Sequence, residues 1–269
     1  MASLNSAFAD LPATPRMPAL FVGHGNPMNA IEDNAYSRSW AALGETLPLP
    51  RAILCVSAHW MTQGRTLAHI GERPKTIHDF GGFPPKLFAQ QYPAPGAPDV
   101  AAAAISLVQS SHVETDTEWG LDHGAWSVLI RMFPKANIPV FQLSLDLGRD
   151  PLGHLDLARE LKPLREKGVL IIGSGNIVHN LMALAPGAAP YDWATAFDIQ
   201  MKDRIEARDG AGVARALGGG RAARLAHPTP EHFLPVLFPL GVADEKDELS
   251  FFNASFDMAS ISMRSFLLS

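Results

Sequence analysis

The sequence predicts an α/β fold: a single domain with a central, mostly parallel or mixed sheet flanked by helices. Three observations lead there. Short apolar runs of strand length alternate with stretches of helical length through most of the 269 residues, the order that builds parallel sheets. The apolar runs are bounded by Gly, Pro or charge, as buried strands are. No fixed-period repeat or low-complexity linker divides the chain, and its length suits one sizeable core.

The elements follow in order. Residues 1–16 mix small residues, Pro and charge, and are expected as a mobile N-terminal arm or a surface wrap, leaving 17–269 as the domain. Pro18–Gly23 (PALFVG) is a short apolar strand ending in Gly. Residues 31–46 suit a helix with Trp40 and Leu43 on one face, and Arg51–Ala58 (RAILCVSA) is a second strand. The Gly/Pro-rich stretch 80–97 resembles a linker in composition, but Phe80, Phe83, Phe88 and Tyr92 argue for a loop packed over something. Helices are expected over 98–110, with Ile105, Leu107 and Val108, and over Ala125–Phe133, with Trp126, Leu129 and Ile130. Ile138–Leu145 is a strand, and Pro151–Lys167 is an amphipathic helix built on Leu152, Leu155, Leu157, Leu161 and Leu164. Gly168–Gly173 (GVLIIG) is a strand, 193–216 a helix and Leu249–Phe256 a strand.

Composition excludes several classes of function. With 22 basic against 27 acidic residues, the net charge of −5 lacks the basic excess of a nucleic-acid binder. The single cysteine, Cys55, cannot form an internal disulfide, and it excludes zinc fingers that need two or four cysteines. A cytoplasmic protein is the expectation. The N-terminus has no cationic start followed by an apolar segment, and no run approaches the roughly 20 apolar residues that span a bilayer. No membrane partner is expected, and the sequence leaves the oligomeric state open, a homo-oligomer included.

The ten histidines are the feature that points to chemistry. His24 follows PALFVG, His59 follows RAILCVSA, and His179 lies shortly after GVLIIG. Ligands of open α/β sheets bind beyond the carboxyl ends of the strands, and imidazole is the commonest protein ligand for transition metals. One histidine after a strand is more often a hydrogen-bonded boundary residue; three at such places suggest a metal site. GHGNP (23–27) sets His24 between glycines, and LDHGAW (121–126) puts His123 beside Asp122. GSGNIVHN (173–180) has neither the third glycine of a dinucleotide fingerprint nor the lysine of a P-loop, and it is not a GxSxG nucleophile elbow. In AHPTPEHFLP (226–235), Pro228 and Pro230 make a stiff turn, and Glu231 suits the first turn of a following helix as a capping carboxylate. His69, His112 and His154 sit in polar or helical contexts and read as structural or solvated.

Six segments, in order from residue 23 to 235, together resemble the class III extradiol dioxygenases, in their DOPA 4,5-dioxygenase-like branch. They are GHGNP, SAHW (57–60), HDFGGFPPKLFAQQYPAPG (78–96), LDHGAW, GSGNIVHN and HPTPEHFLP. The resemblance implies a catalytic domain over 17–269 with a non-haem Fe(II) site. His24 and His59 match the two histidine ligands, and His232 matches the third, where other Fe(II) oxygenases place a carboxylate. Glu231 is the adjacent carboxylate and the lesser option. An all-histidine set also suits Zn(II) as the bound ion. His179 matches a histidine outside the ligand set assigned as general base, or becomes a fourth ligand in a zinc site. His123 matches a histidine facing the oxygen-binding region, with Asp122 as its expected orienting partner. His78 and His227 have no assigned role, His227 reading as a supporting or structural residue. The implied reaction inserts both atoms of O2 into a catechol-type, DOPA-like substrate. The competing readings are a binding or signalling protein that keeps the fold, and a zinc-dependent hydrolase.

Overall fold

The computed structural model describes residues 4–269. Its central sheet is made of β1 (Ala19–Gly23), β2 (Ala52–Ser57), β3 (Val140–Gln142), β4 (Val169–Gly175), β5 (Leu249–Phe252) and β6 (Ser265–Leu268). They lie in the order β5-β6-β1-β4-β2-β3. The β1, β4, β2 and β3 pairings are parallel, whereas β6 joins β1, and β5 joins β6, antiparallel. The sheet is therefore mixed, with a parallel half and an antiparallel edge, as the sequence predicts.

The apolar runs are continuous because both faces of the parallel strands are covered. Alternate residues feed two cores: Ala19, Phe21, Leu54, Val56 and Ile171 enter one, and Leu20, Val22, Ile53, Cys55 and Ile172 enter the other. The flanking helices are α1 (Leu4–Asp10), α2 (Ala35–Thr46), α3 (Pro98–Leu107), α4 (His123–Met132), α5 (Pro151–Glu160) and α6 (Asp192–Glu206). Trp40 of α2 and Trp126 of α4 fill the second core. The first core takes residues from α3, α5 and α6, together with Leu234–Phe238. No helix of the described residues is long and apolar enough to cross a membrane.

Boundaries depart from expectation where a cap or a backbone break intervenes. α2 starts at Ala35, not 31, because Asn34 accepts the N–H groups of Tyr36 and Ser37 and Ser37 returns the bond, a reciprocal cap. The helix expected over 151–167 stays α-helical only to Glu160; Pro163 cannot donate, and 162–167 tighten into 3₁₀ turns ended by Gly168 at φ 81°. The helix expected over 193–216 breaks at Arg208, which takes φ 57°, and Asp209 then caps a short helix, Gly210–Arg215. β4 runs on through Gly175, two residues beyond its expected end. The region around Leu249–Phe256 divides into β5 and a small hairpin pairing Phe256–Asp257 with Ile261–Ser262.

The segment 1–16 is laid against the body where it is described. α1 packs on α3, Phe8 and Leu11 join the first core, and Thr14 N–H donates to Glu166 O at 2.8 Å. Its few apolar side chains find a surface, which composition alone understates; residues 1–3 of the expected arm lie outside the described residues.

Candidate metal centre and catalytic cavity

Three adjacent parallel strands, in the order β1-β4-β2, open at one edge of the sheet. His24 directly follows β1, with its N–H held by Gly175 O at 3.0 Å. His59 lies just beyond β2, its N–H on Ser57 Oγ at 3.2 Å. His179 follows β4, its N–H on Ala226 O at 2.9 Å. His123 opens α4, and His232 sits in the turn before Leu234. All five line one cavity of about 480 Å³, within the usual size range of small-molecule sites.

Which rings can share an ion is a question of spacing. A metal–nitrogen bond of about 2.1 Å at tetrahedral angles puts imidazole centroids about 5 Å apart around one ion. His24–His59, His24–His232 and His59–His232 lie at 5.1, 5.4 and 5.0 Å. The Nε2 atoms of His24 and His59 are 3.1 Å apart, close to the separation of two nitrogens on one ion. His59 and His123 lie closer, at 3.8 Å between centroids, yet one ring nitrogen from each of His24, His59 and His123 falls within 4.8 Å of the others, so these three form an alternative ligand group. His179 and His232 are stacked, with centroids 3.4 Å apart and planes within 5°. Lone pairs of imidazole lie in the ring plane, so two parallel rings at that distance do not aim at a common point.

The hydrogen bonds behind these rings set the tautomers. Ser174 Oγ donates to Gly124 O at 2.6 Å, so it accepts from His24 Nδ1–H at 3.0 Å. Asp79 Oδ2 lies 3.3 Å from His59 Nδ1, and Glu231 Oε1 lies 3.1 Å from His232 Nδ1. The bonds to Ser174 and Glu231 put the proton of His24 and His232 on Nδ1 and leave their Nε2 lone pairs free, the usual support behind a metal-binding histidine, while Asp79 faces His59 Nδ1 as a charge contact. Burial, followed by repulsion from the neighbouring histidines, holds His24 and His232 well below the ordinary range. Burial and His123 push His59 down to about 3, against the pull of Asp79. Burial pushes His179 down to about 4, opposed by Glu231. These rings are therefore neutral at pH 7, the form that can bind a metal or accept a proton. The donor set fits a borderline transition-metal ion such as Fe(II) or Zn(II).

Two expected partners are corrected. Asp122 does not hold His123: it caps α4 through Ala125 N–H and accepts from Ser57 Oγ at 2.6 Å and Gln142 Nε2 at 2.8 Å. Through Ser57 it supports the His59 backbone instead. The partner of His123 is Asp79, whose Oδ2 takes Nδ1–H at 3.0 Å and whose Oδ1 takes the His123 backbone N–H at 2.9 Å. Burial works against the Asp79 charge, but the bonds and charges of His123 and His59 outweigh it and lower its pKa. Glu231 caps no helix; it accepts from Thr229 Oγ1 at 2.9 Å and from the His232 ring. Asp79 is the site residue that the histidine pattern misses, although it lies next to His78 in the DFGGFP loop.

The remaining histidines lie outside the cavity. His227 donates from Nε2 to Ile177 O at 2.7 Å between Phe197 and Phe233. His78 holds Gln90 O at 3.0 Å, and His154 holds Asp146 O at 3.0 Å. His69 faces Asp116 at 3.4 Å, and His112 is exposed in the loop before Val113. The aromatic loop divides its rings: Phe80 and Phe83 line the cavity, Tyr92 is buried with its hydroxyl on Phe133 O, and Phe88 is partly exposed.

The GSG segment also finds its reason here. A Cβ on Gly175 would lie 2.1 Å from His232 O, and one on Gly173 would lie 2.1 Å from Pro235 O. The glycines let the chain that carries His232 lie directly on β4, where His232 O accepts Asn176 N–H at 2.8 Å. Gly175→Ala is expected to push that chain away. Metal affinity should fall about 10- to 100-fold, the scale of lost support behind a ligand, and overpacking should cost about 1–3 kcal/mol of stability. Metal titration and thermal unfolding check both.

Comparison with known proteins agrees with this architecture. The chain is 44% identical over 259 residues to a 4,5-DOPA dioxygenase extradiol of Escherichia coli (strain K12), covering 93% of this chain and 94% of that protein. It is 38% identical to a 4,5-DOPA dioxygenase extradiol of Beta vulgaris over 256 residues, covering 91% of this chain and 94% of that one. The crystal structure of an uncharacterized protein from Escherichia coli K12 superposes with a TM-score of 0.80 at 39% identity, covering 94% of this chain and 100% of that one. The family model described as the catalytic LigB subunit of aromatic ring-opening dioxygenase matches residues 19–263, from β1 to just before β6, so the chain belongs to that family of aromatic ring-opening dioxygenases.

Proposed function

We propose that the protein is an extradiol dioxygenase that opens a catechol ring bearing a DOPA-like side chain, with His24, His59 and His232 holding Fe(II). The observation that supports this reading is the triangle of three neutral imidazoles, with ring centroids 5.0 to 5.4 Å apart, on the wall of a cavity also lined by Phe80 and Phe83 in a member of a ring-opening family. The similarity to 4,5-DOPA dioxygenases of Escherichia coli and Beta vulgaris supports a DOPA-like substrate.

Fe(II), when bound there, provides the redox path between the diol and O2 that amino-acid side chains lack. The protein supplies position and protons. His179 is neutral at pH 7 and lines the cavity, so its ring takes a proton from a catechol hydroxyl. The stacked geometry supports this role over that of a fourth ligand. Asp79 holds the Nδ1–H of His123 and turns its Nε2 edge inward, where it meets the second reactant, O2. Phe80, Phe83, Leu181 and Leu184 pack against the substrate ring and exclude water. Both oxygen atoms enter the product, so no further reductant is required.

Anaerobic reconstitution with Fe(II), followed by L-DOPA or another catechol and O2, is expected to consume one O2 per ring and to give a yellow ring-opened product. The Zn(II)-loaded protein is expected to give neither. Ester or amide hydrolysis by the Zn(II) form, with no O2 uptake from any catechol by the Fe(II) form, would replace this reading with that of a hydrolase.

A further inference from the structure

The cavity carries a charge that the histidine cluster does not use. Asp79 is committed to His59 and His123, and Glu231 to Thr229 and His232. Asp257 also lines the cavity, half-buried, and among the described residues it makes no ion pair. Among the described residues no Lys or Arg lines the cavity; its apolar lining includes Leu181, Leu184, Met258 and Ile261. Burial raises the Asp257 carboxyl above its ordinary value, offset only in part by the Met258 backbone N–H. A half-desolvated carboxylate with no cation beside it, facing a small-molecule cavity, lacks the partner that such groups normally have.

The backbone holds Asp257 in place at a cost. The next two residues, Met258 and Ala259, take φ 48° and 64°, a left-handed conformation that non-glycine residues adopt with strain. The hairpin that contains them is pinned to the segment after His179. Ala185 N–H donates to Met258 O at 3.0 Å, Tyr191 N–H to Ala259 O at 3.3 Å, and Asn180 N–H to Ser260 O at 3.3 Å. The position of the carboxylate on the cavity wall is thereby over-determined by the fold.

From this we infer that Asp257 is the counter-ion for a protonated amine on the side chain of the catechol, and that the cavity selects ammonium-bearing catechols over carboxylate-bearing ones. The inference rests on the reading of the histidine cluster as a catechol site. A substrate carrying both groups is held by its ammonium end, because the described cavity offers its carboxylate no basic partner.

The test separates the two claims by measuring binding and turnover independently. Binding of dopamine, 3-(3,4-dihydroxyphenyl)propionate and 4-methylcatechol is measured by anaerobic calorimetry on the Zn(II)-loaded protein; turnover is measured by O2 uptake of the Fe(II) form. The wild type is expected to bind dopamine about tenfold more tightly than the propionate, the scale of one charge-assisted hydrogen bond. Asp257→Asn should reduce the dopamine-to-4-methylcatechol affinity ratio about tenfold. Asp257→Lys should reverse the order of dopamine and the propionate. Equal wild-type affinities for dopamine and the propionate, or an Asp257→Asn ratio equal to that of the wild type, overturns the inference even if 4-methylcatechol is turned over. Amine-selective binding without O2 uptake from any catechol upholds Asp257 and overturns ring cleavage.

Discussion

Replacing His59 by alanine is expected to remove stoichiometric metal and, with it, all ring-opening turnover. The reason is geometric. His59 is the corner of the triangle nearest to His24, with 3.1 Å between the two Nε2 atoms, and its other nitrogen is steadied by Asp79. Without it, His24 and His232 remain 5.4 Å apart at their ring centroids, and the triangle loses one of its three nitrogens. Removing only a partner behind a ligand weakens affinity about 10- to 100-fold; removing the ligand itself exceeds that. Metal analysis after dialysis, beside O2 uptake, gives the result directly. Controls at neighbouring positions sharpen it. His123→Ala should keep the ion if the triangle holds it, whereas loss of metal there would assign the third corner to His123, whose nitrogen lies within 4.8 Å of those of His24 and His59. Glu231→Gln should weaken metal binding without abolishing it. Full metal content in His232→Ala together with loss in Glu231→Ala would transfer the third corner to the carboxylate.

Much of this was legible in the sequence, because the strands that carry the site are its simplest signals. PALFVG, RAILCVSA and GVLIIG are apolar throughout, since each is covered by a core on both faces. His24 and His59 stand right after two of them, so strand ends and histidines can be read together. What was not legible depends on contacts between distant segments. β6 is short and follows a loop, and it is a strand because β1 and β5 lie on either side of it. The strand expected to end at Gly173 continues through the GSG segment, its glycines set by the approach of Pro235 and His232 from a distant part of the chain. Asp79 holds His123 across a separation of 44 residues, while Asp122, its sequence neighbour, faces the other way to cap α4. Adjacency suggested the wrong carboxylate because the first turn of a helix sends successive side chains about 100° apart.

His179→Ala is expected to lower ring-opening turnover about 10²- to 10⁴-fold, the usual contribution of a positioned acid or base, while the protein still binds one equivalent of metal. The distinction matters because His179 lies as close to His232 as any ring in the cavity. Proximity alone would make it a ligand. The parallel stacking argues otherwise: with centroids 3.4 Å apart and planes within 5°, an ion in the plane of His232 lies well outside the plane of His179. The same stacking gives the ring another use. It sets His179 beside a face of His232, on the cavity wall, neutral at pH 7 because burial pushes it down to about 4. A neutral imidazole beside the point where a diol would bind can accept its proton; one already bound to the ion cannot. The substitution therefore separates two chemistries that share one location. Turnover lost with metal retained assigns the proton transfer to His179. If His179→Ala instead loses metal as completely as His59→Ala, the ring belongs to the ion, the site has four nitrogen ligands, and the diol proton must leave by way of His123, the other histidine lining the cavity that lies outside the triangle.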